Sequence, residues 1–362
     1  MSGKRPALLV VEDDPFPRIL QVLLDPGVSA ERYAAFAHLV AHEASDFDNW
    51  CGNLRKLAGR LYPAEVRLVS TQAELRAALP EASAVMVESL RIGAKELAPA
   101  GKLKAIQKYG TVLSNIDVER CTARGIQVLT LRRRFNIGCA EHAFALMGML
   151  AKKLYDVAGH ISFEQLAAAG YTPKLLDGTH IPVSGWARVT GLHMLYEATL
   201  GIIGLGEIGR EMALRAAAYG MRTLYHQRHR LGTAEEAQFK ARYVALDTLL
   251  AESDWVTIHL PENEHTRGLI GQNEIGRMRR GAFLVNVARA SIVERAALVE
   301  ALRSGHLGGF ALDPLYEEPG RADDELLQFR NVIVTPHIAG GPRTNGLRDF
   351  TDIVVGLSRV LR

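Results

Sequence analysis

The segment that most constrains the fold is a glycine-rich turn near the middle of the chain. The apolar run 199–205 leads directly into Gly204-x-Gly206-x-x-Gly209, and a helical pattern follows. The first glycine permits a tight turn, the second lets the backbone approach a pyrophosphate, and the third lets helix and strand pack closely. Unpaired amides at the helix N-terminus then attract phosphate oxygens. The segment therefore predicts the strand, turn and helix that open a dinucleotide-binding α/β domain.

The rest of the chain supports an α/β fold. Short aliphatic runs alternate with helical patterns, which is typical of βαβ units and parallel sheets. With 362 residues, and roughly 150 per domain, we expect two domains. The predicted strands form two series, 19–24, 66–70, 84–87, 103–107 and 127–131, then 199–205, 222–226, 255–260, 282–287, 309–312 and 332–336.

Four other segments stand out. Residues 30–61 have helical spacing broken into two pieces near Asp46, and we interpret them as a surface insertion. Residues 140–159 carry apolar side chains around most of a predicted helix, which favours burial on several sides, between domains or against a second subunit. Residues 170–199 have no regular period, and a last helix is predicted near 344–361.

Composition excludes several classes of protein. A 48% hydrophobic and 23% charged chain is globular, and no apolar run approaches the ~18 residues that a membrane span needs. The charge of +3 is too small and too dispersed for a nucleic-acid surface. Met1–Pro6 begins no apolar secretory signal, and three dispersed cysteines indicate neither a metal site nor a disulfide framework. We expect a cytoplasmic protein with a small-molecule partner.

The second strand of the dinucleotide unit ends without a carboxylate. A dinucleotide fold normally places Asp or Glu there, where it accepts hydrogen bonds from the ribose 2′-hydroxyl. This chain has His226, Gln227 and Arg228, followed by Arg230. Arg228, aided by Arg230 or a protonated His226, can pair with a 2′-phosphate. The sequence therefore favours NADP over NAD, although a solvated turn that is indifferent to the phosphate is the alternative.

Three later segments place reactive residues just after predicted strands, where open α/β sheets bind ligands. They are 286–290, 312–319 and 335–340. Together with the glycine motif, these segments resemble the D-isomer-specific 2-hydroxyacid dehydrogenase family, in particular its glyoxylate and hydroxypyruvate reductases. The resemblance extends over about 103–340 and includes four further motifs, Leu103-Lys104-Ala105-Ile106-Gln107, Asn115-Ile116-Asp117, Ala140-Glu141-His142-Ala143 and His259-Leu260-Pro261 with Thr266.

The resemblance implies a catalytic Arg289, Glu318 and His337. Reduction of a 2-keto acid puts negative charge on the carbonyl oxygen, so the site needs a proton donor and a cation for the neighbouring carboxylate. His337 suits the first task because imidazole titrates near neutral pH, and the planar fork of Arg289 suits the second. Glu318 would hold the imidazole; its neighbour Glu317 is the rival, and only the family pattern selects between them.

The resemblance also implies the architecture and the binding residues. A Rossmann cofactor domain, 135–335, would be inserted in a flavodoxin-like substrate domain formed by 1–134 and 336–362, and relatives of this kind are usually homodimers through the helix near 140–160. The expected cofactor contacts are Gly204, Gly206, Glu207, Ile208, Gly209, His226, Gln227, Arg228, Leu260, Pro261, Thr266, Val287, Ala288, Arg289, Asp313, His337 and Gly340. The expected substrate contacts are Ser89, Gly110, Thr111, Val112 and Arg289.

Three positions depart from the family pattern. Val112 replaces a usual glycine in the loop expected to bind the substrate carboxylate. Glu88 stands where phosphoglycerate dehydrogenases carry Arg, which predicts repulsion of a phosphorylated substrate. The arginines at 132–134 would either attract an acidic or bulky anionic substrate, or be solvated or pair with acidic neighbours on a partner subunit.

Two functions other than reduction of a keto acid are known on folds of this kind. Glu318 argues against a formate dehydrogenase, since enzymes of that type resemble one another in carrying Gln there. A dinucleotide-sensing corepressor or scaffold on the same fold remains the alternative, because such relatives often keep the catalytic residues.

Overall fold

The computed structural model describes residues 7–361, and the chain divides into two units. Unit 1 comprises Met1–Asn136 and Gly341–Arg362, and unit 2 comprises Ile137–Gly340. The junctions predicted from the sequence lie slightly earlier in the chain. The prediction that Met1–Pro6 begins no secretory signal lies outside the described residues.

Unit 1 contains a five-stranded sheet in which every neighbouring pair is parallel. Its strands are β1 (Ala7–Glu12), β2 (Ala64–Val69), β3 (Ala84–Val87), β4 (Ala105–Lys108) and β5 (Gln127–Leu129). Their order, β2-β1-β3-β4-β5, is that of flavodoxin-like sheets, as the family resemblance implied. The helices are α1 (Ile19–Leu24), α2 (Ala30–Val40), α3 (Phe47–Ala58), α4 (Gln72–Ala78), α5 (Ala94–Leu97), α6 (Val118–Ala123) and a C-terminal helix over Thr344–Val360, and Gly59–Leu61 forms a 3₁₀ turn.

The first predicted strand is wrong. Residues 19–24 form helix α1, whereas the first strand of the sheet is Ala7–Glu12. Five of the six residues of α1 are apolar and buried, and the exception is Gln21. A short, mostly apolar segment is compatible with a buried strand as well as with a buried helix, which explains the error.

The interpretation of 30–61 as a surface insertion is also wrong. The segment does form two helices, capped at their N-termini by Ser29 and Asp46. However, their inner faces belong to the main hydrophobic core of unit 1, together with α1 and the C-terminal helix. The buried residues of this segment are Phe36, Val40, Phe47, Cys51, Leu54, Ala58 and Leu61. A second core, which includes residues of α4, α5 and α6, contains Val10, Val85 and Ile106 from the sheet.

Unit 2 contains a seven-stranded, fully parallel sheet. Its strands are β6 (Thr199–Ile203), β7 (Arg222–His226), β8 (Ala241–Tyr243), β9 (Trp255–Ile258), β10 (Phe283–Asn286), β11 (Gly309–Leu312) and β12 (Val332–Val334). The order β12-β11-β10-β9-β6-β7-β8 reverses direction beside β6, as in a Rossmann fold. The fold class predicted from the sequence is therefore confirmed, although the short edge strand β8 was not predicted.

The helices connected with this second sheet start with a long one. They are α7 (Arg134–Lys152), α8 (Leu154–Val157), α9 (Phe163–Ala168), α10 (Glu207–Ala218), α11 (Thr233–Phe239), α12 (Leu246–Glu252), α13 (Gln272–Arg277) and α14 (Arg295–Arg303), followed by 3₁₀ turns at Ala290–Ile292 and Glu325–Gln328 and, back in unit 1, by α15 (Thr344–Val360). Helix α7 is buried on several sides, as predicted for its part of 140–159, but it ends at Lys152, and the separate short helix α8 contains no buried residue. Residues 169–198 contain neither helix nor strand. None of the helices within residues 7–361 is long and apolar enough to cross a membrane.

Candidate active site

The glycine turn in unit 2 joins β6 to α10. Gly204 has a φ of 95°, and a Cβ atom there would lie 2.6 Å from the His259 carbonyl oxygen. A Cβ on Gly209 would lie 2.1 Å from the Gly204 carbonyl oxygen, so both positions require glycine. Gly206, directly before the twelve-residue helix α10, faces open space. The turn thus leaves room for a pyrophosphate against the first amides of a helix, which fits a dinucleotide.

The end of β7 carries the residues expected to contact the ribose or its 2′-phosphate. The Gln227 side-chain oxygen accepts a hydrogen bond from the Leu205 amide at 3.0 Å, which ties this strand end to the glycine turn. Arg230 donates two hydrogen bonds to Glu236, at 2.9 and 2.8 Å, and these bonds, with that from Tyr225, lower the pKa of Glu236 to about 2. Arg228 is exposed and has no carboxylate partner within residues 7–361. Arg228 is therefore the cation of this turn that is available to a phosphate.

Three neighbouring strands position the expected catalytic residues. Arg289, Glu318 and His337 follow β10, β11 and β12, which lie side by side and run parallel. Their carboxyl ends consequently meet at one edge of the sheet, and the structure brings the three side chains together there. Nδ1 of His337 lies 2.8 and 3.1 Å from the two carboxylate oxygens of Glu318. The contact is to Glu318 rather than to Glu317.

The electrostatics of this group favour a charged Glu318. The hydrogen bond with His337 is the largest influence that lowers the pKa of Glu318, and the Leu315 amide and the charge of Arg289 act in the same direction. Both members of the His337–Glu318 pair remain accessible, with 43% and 44% of their side chains exposed. A carboxylate that stays ionised beside an accessible imidazole is suited to orienting that ring while it gains or loses a proton.

Asp313 holds the loop that carries His337. Its carboxylate is fully buried and accepts hydrogen bonds from the amides of Ile338 and Ala339, both at 2.8 Å, and from the Thr335 hydroxyl at 2.7 Å. His337 itself adopts a φ of 54°, and its amide donates to the Asp313 carbonyl. The sequence predicted a cofactor contact for Asp313, whereas the structure directs its side chain to the loop. This positioning role could not be recognised from sequence position alone.

The remaining expected cofactor residues lie at the same edge of the sheet. Leu260 and Pro261 follow β9, and the hydroxyl of Thr266 closes their turn by donating to the Pro261 carbonyl at 2.7 Å. Val287 and Ala288 are buried after β10, and Gly340 ends the loop of His337. Both ring nitrogens of His259 are buried without a partner, and burial lowers the pKa of this histidine to about 3, so it is neutral.

The expected substrate residues of unit 1 follow its adjacent strands β3 and β4. Ser89 donates its hydroxyl and amide hydrogens to Glu12, which also accepts the amides of Glu88 and Leu90. Ser89 is therefore engaged in fixing its own loop. Gly110 has a φ of 152°, a conformation that favours glycine, and it leads into Thr111 and Val112.

Two of the three arginines at 132–134 are engaged by carboxylates of the same chain. Arg133 binds Glu88, with 2.7 Å between Nη1 and Oε1, and its guanidinium lies 4.0 Å from the centre of the Tyr109 ring. Arg134 binds Asp349 at 2.8 Å and Asp352 at 2.7 Å. Arg133 and Arg134 thus pair with acidic residues of their own unit, whereas any acidic neighbours were expected on a partner subunit.

Comparison with known proteins gives consistent results. The NAD binding domain of the D-isomer specific 2-hydroxyacid dehydrogenases matches residues 180–339. A glyoxylate reductase from Korarchaeum cryptofilum is 35% identical over 248 residues, which cover 68% of this chain and 70% of that protein. A D-3-phosphoglycerate dehydrogenase from Mycobacterium leprae is 32% identical over 292 residues, covering 80% of this chain, but the match spans only about half (51%) of that longer relative.

Solved structures extend the similarity to almost the whole chain. A crystal structure of a protein from Pyrococcus horikoshii OT3 superposes with a TM-score of 0.56 at 25% sequence identity, covering 98% of this chain and 91% of that one.

Proposed function

Because the chain belongs to the D-isomer specific 2-hydroxyacid dehydrogenase family, we propose that it transfers a hydride between a nicotinamide dinucleotide and a 2-keto or D-2-hydroxy acid. The observation that carries this proposal is the contact of His337 with Glu318, close enough to Arg289 for its charge to act on the same carboxylate. A donor, an orienting carboxylate and a cation are the groups that reduction of a 2-keto acid requires.

The nicotinamide, when bound, supplies or accepts the hydride. Arg289, whose Nη1 already donates to the Ala288 carbonyl at 2.6 Å, binds the substrate carboxylate with its remaining N–H groups and so fixes the orientation of the keto group. Since Nδ1 of His337 faces Glu318, Nε2 is the atom free to donate a proton to the carbonyl oxygen during reduction. In the oxidative direction the same Nε2 accepts the hydroxyl proton. Asp313 keeps the loop of His337 in place during both reactions.

The cofactor is proposed to be NADP(H) in preference to NAD(H). The end of β7 offers Arg228 without a carboxylate partner in the described chain, and no acidic side chain at that strand end competes for the ribose. Arg230 is less suited because Glu236 already holds it with two hydrogen bonds. A 2′-phosphate would gain a charge-assisted hydrogen bond from Arg228.

A panel of 2-keto acids, including glyoxylate and hydroxypyruvate, tests the activity when it is assayed by the loss of 340 nm absorbance with NADPH and NADH. We expect turnover with at least one acid and a higher kcat/KM with NADPH. Tight dinucleotide binding without turnover of any keto acid would overturn the proposal and favour a sensor or scaffold.

We also propose a homodimer formed through α7 and the segment that follows it. Nine of the fourteen exposed large hydrophobic side chains in the described residues fall within 154–196. Such a concentration of exposed apolar side chains is typical of an interaction surface. They are Leu154, Ile161, Phe163, Leu175, Ile181, Val183, Leu192, Met194 and Tyr196. Light scattering should give twice the chain mass, and Ile161→Glu with Leu175→Glu should reduce it to one.

The state of the cysteines bears on the cellular compartment in which the protein works. Cys51, Cys121 and Cys139 are buried and form no disulfide. This supports a reducing compartment, and we propose the cytoplasm.

A further inference from the structure

One face of helix α7 lies against residues 335–340, here called the histidine loop, and every residue of this contact belongs to unit 2. Gly138 and His142 are about one helical turn apart on α7 and therefore share a face. A Cβ atom on Gly138 would lie 2.9 Å from the Gly340 carbonyl oxygen and 3.3 Å from that of Ala339. The backbone of the histidine loop thus packs directly on the helix, and His142 is the next residue on the same face.

A chain of hydrogen bonds leads from His142 to the histidine loop. The Thr335 hydroxyl donates to Oδ1 of Asp313 at 2.7 Å. Because its hydrogen is used in this way, its oxygen accepts from Nε2 of His142, which lies 3.0 Å away. The Asp313 carboxylate in turn accepts the amides of Ile338 and Ala339, both at 2.8 Å. Three side chains therefore connect the helix to the backbone of the loop.

Asp313 depends on this chain of hydrogen bonds because its charge is buried. Its side chain is fully buried, and only 19% of that of His142 is exposed. A buried carboxylate is costly unless hydrogen bonds or a counter-charge offset its desolvation. Within residues 7–361 no Lys or Arg pairs with this carboxylate, and His142 is the basic side chain near it, with Nε2 3.5 Å from Oδ1. The hydrogen bond from His142 also polarises the Thr335 hydroxyl, which strengthens its bond to Asp313.

The hold of Asp313 on the loop matters for chemistry because of the residue that it secures. His337 has a φ of 54°, which residues other than glycine rarely adopt. The two amides bound by Asp313 follow His337 directly, so they hold the chain in this conformation. Displacement of a catalytic group by about 1 Å can lower a rate by about 10². A weaker hold by Asp313 would therefore lower turnover more than binding.

We propose that His142 is a positioning residue for the proton transfer: through Thr335 and Asp313 it fixes the histidine loop, so that the imidazole of His337 stays in its reactive position. The proposal rests on the reductase function proposed above and deepens it. It adds helix α7 to the elements that serve catalysis, although none of the site residues expected from the sequence lies on this helix.

The first test replaces His142 with Leu, which removes the hydrogen-bond donor without opening a large cavity. In an absorbance assay with NADPH and the keto acid that the wild type reduces fastest, kcat should fall about tenfold, as expected for one lost hydrogen bond. The KM values for both substrates should stay within about twofold, because the interaction acts on the transition state. His142→Gln, whose amide can donate from a similar position, should keep most of the wild-type kcat.

A second readout does not need turnover. Hydrogen exchange followed by mass spectrometry reports on the amides of Ile338 and Ala339, which Asp313 binds. In His142→Leu these amides should exchange about tenfold faster, while those of 284–286 inside β10 keep their wild-type rates. A general loss of stability would instead raise exchange in both segments.

Two further variants test the route and the specificity of the effect. Thr335→Val removes the hydroxyl at nearly constant volume, and adding His142→Leu to it should lower kcat by less than about twofold, because the route from His142 is already broken. His306 is the matched control, since its Nε2 also donates one hydrogen bond, to the Ile275 carbonyl at 2.9 Å, but it lies before β11 rather than after it. His306→Leu should leave kcat and the exchange of the histidine loop unchanged.

The outcomes separate this proposal from the proposed function. A wild type that reduces no keto acid refutes the function, while the exchange of the histidine loop still tests the hold that His142 exerts. In an active enzyme, an unchanged kcat in His142→Leu refutes the positioning role. Equal losses in His142→Gln and His142→Leu, or fully additive losses with Thr335→Val, overturn it as well. Should His142→Leu fail to fold, the shorter polar variant His142→Asn takes its place in each measurement.

Discussion

Two contacts between a side-chain nitrogen and a carboxylate have nearly the same length but very different surroundings. In unit 2, His337 and Glu318 are 2.8 Å apart and 43% and 44% exposed. In unit 1, Arg133 and Glu88 are 2.7 Å apart, and the guanidinium is only 13% exposed. The first pair includes a ring that can change its protonation state, whereas a guanidinium keeps its charge at any physiological pH.

Equal lengths therefore do not imply equal roles in catalysis or stability. An accessible pair contributes little to stability, so its members are free to serve chemistry. A largely buried pair is costly to break, because the remaining charge is left without a partner. We therefore expect changes to the His337 pair to affect turnover with little effect on stability, and changes to the Arg133 pair to affect stability.

The largest expected effect is on turnover. Replacing His337 with Ala should lower kcat for 2-keto acid reduction by about 10² to 10⁴, because the proton donor is lost. The urea midpoint should stay close to that of the wild type, since the side chain is accessible. Near-normal turnover would show that His337 is not the proton donor.

A second substitution tests the contribution of the buried Arg133–Glu88 pair to stability. Arg133→Met should destabilise the protein by about 3 kcal/mol, at the low end for breaking a buried pair because Glu88 is partly exposed. Urea denaturation followed by circular dichroism measures this, with Glu318→Gln as the matched control for loss of charge in the other pair. Equal stability of the two variants would show that the buried pair contributes no more to stability than the accessible one.

Two arginines in the turn after β7 differ in whether a carboxylate already binds them. Arg228→Ala should raise the KM for NADPH about tenfold more than that for NADH, because one charge-assisted hydrogen bond to the 2′-phosphate is lost. Arg230→Ala should change the two KM values by similar, smaller factors, since Glu236 already engages that side chain. A larger NADPH effect for Arg230 than for Arg228 would reverse the assignment.

The smallest effect concerns Glu236, whose pKa is lowered to about 2 by Arg230 and Tyr225. A carboxyl group with a lowered pKa in the folded state stabilises the protein above its ordinary pKa and loses that contribution as the pH falls towards the lowered value. The wild type should therefore lose more thermal stability than Glu236→Gln between about pH 4.5 and pH 2. If the two proteins lost thermal stability equally across this range, the Arg230–Glu236 pair would have no influence on stability.

Much of the fold could be predicted because local pattern and function coincide. The glycine turn requires a strand before it and a helix after it, and β6 and α10 have these positions. The three segments that carry Arg289, Glu318 and His337 were predicted to follow strands, and parallel pairing alone is enough to bring them to one edge. The choice between Glu317 and Glu318 needed either the family pattern or coordinates.

The errors arose where tertiary contacts decide the outcome. Nothing in the apolar run 19–24 separates a buried helix from a buried strand. The burial of α3 depends on contacts with the distant C-terminal helix, and that of α2 on contacts with α1 and α3, which no local periodicity reveals. Likewise, the role of Arg133 depends on Glu88, 45 positions earlier in the chain.

The shared core of α3 and α15 has a consequence for synthesis on the ribosome. Leu347, Phe350 and Ile353 of α15 are buried in the same cluster as Leu54 of α3. Residues 7–136 therefore cannot complete their interior until α15, made much later, has emerged. The inserted unit is whole once residue 340 has left the exit tunnel, so we expect the middle of the polypeptide to mature before its beginning.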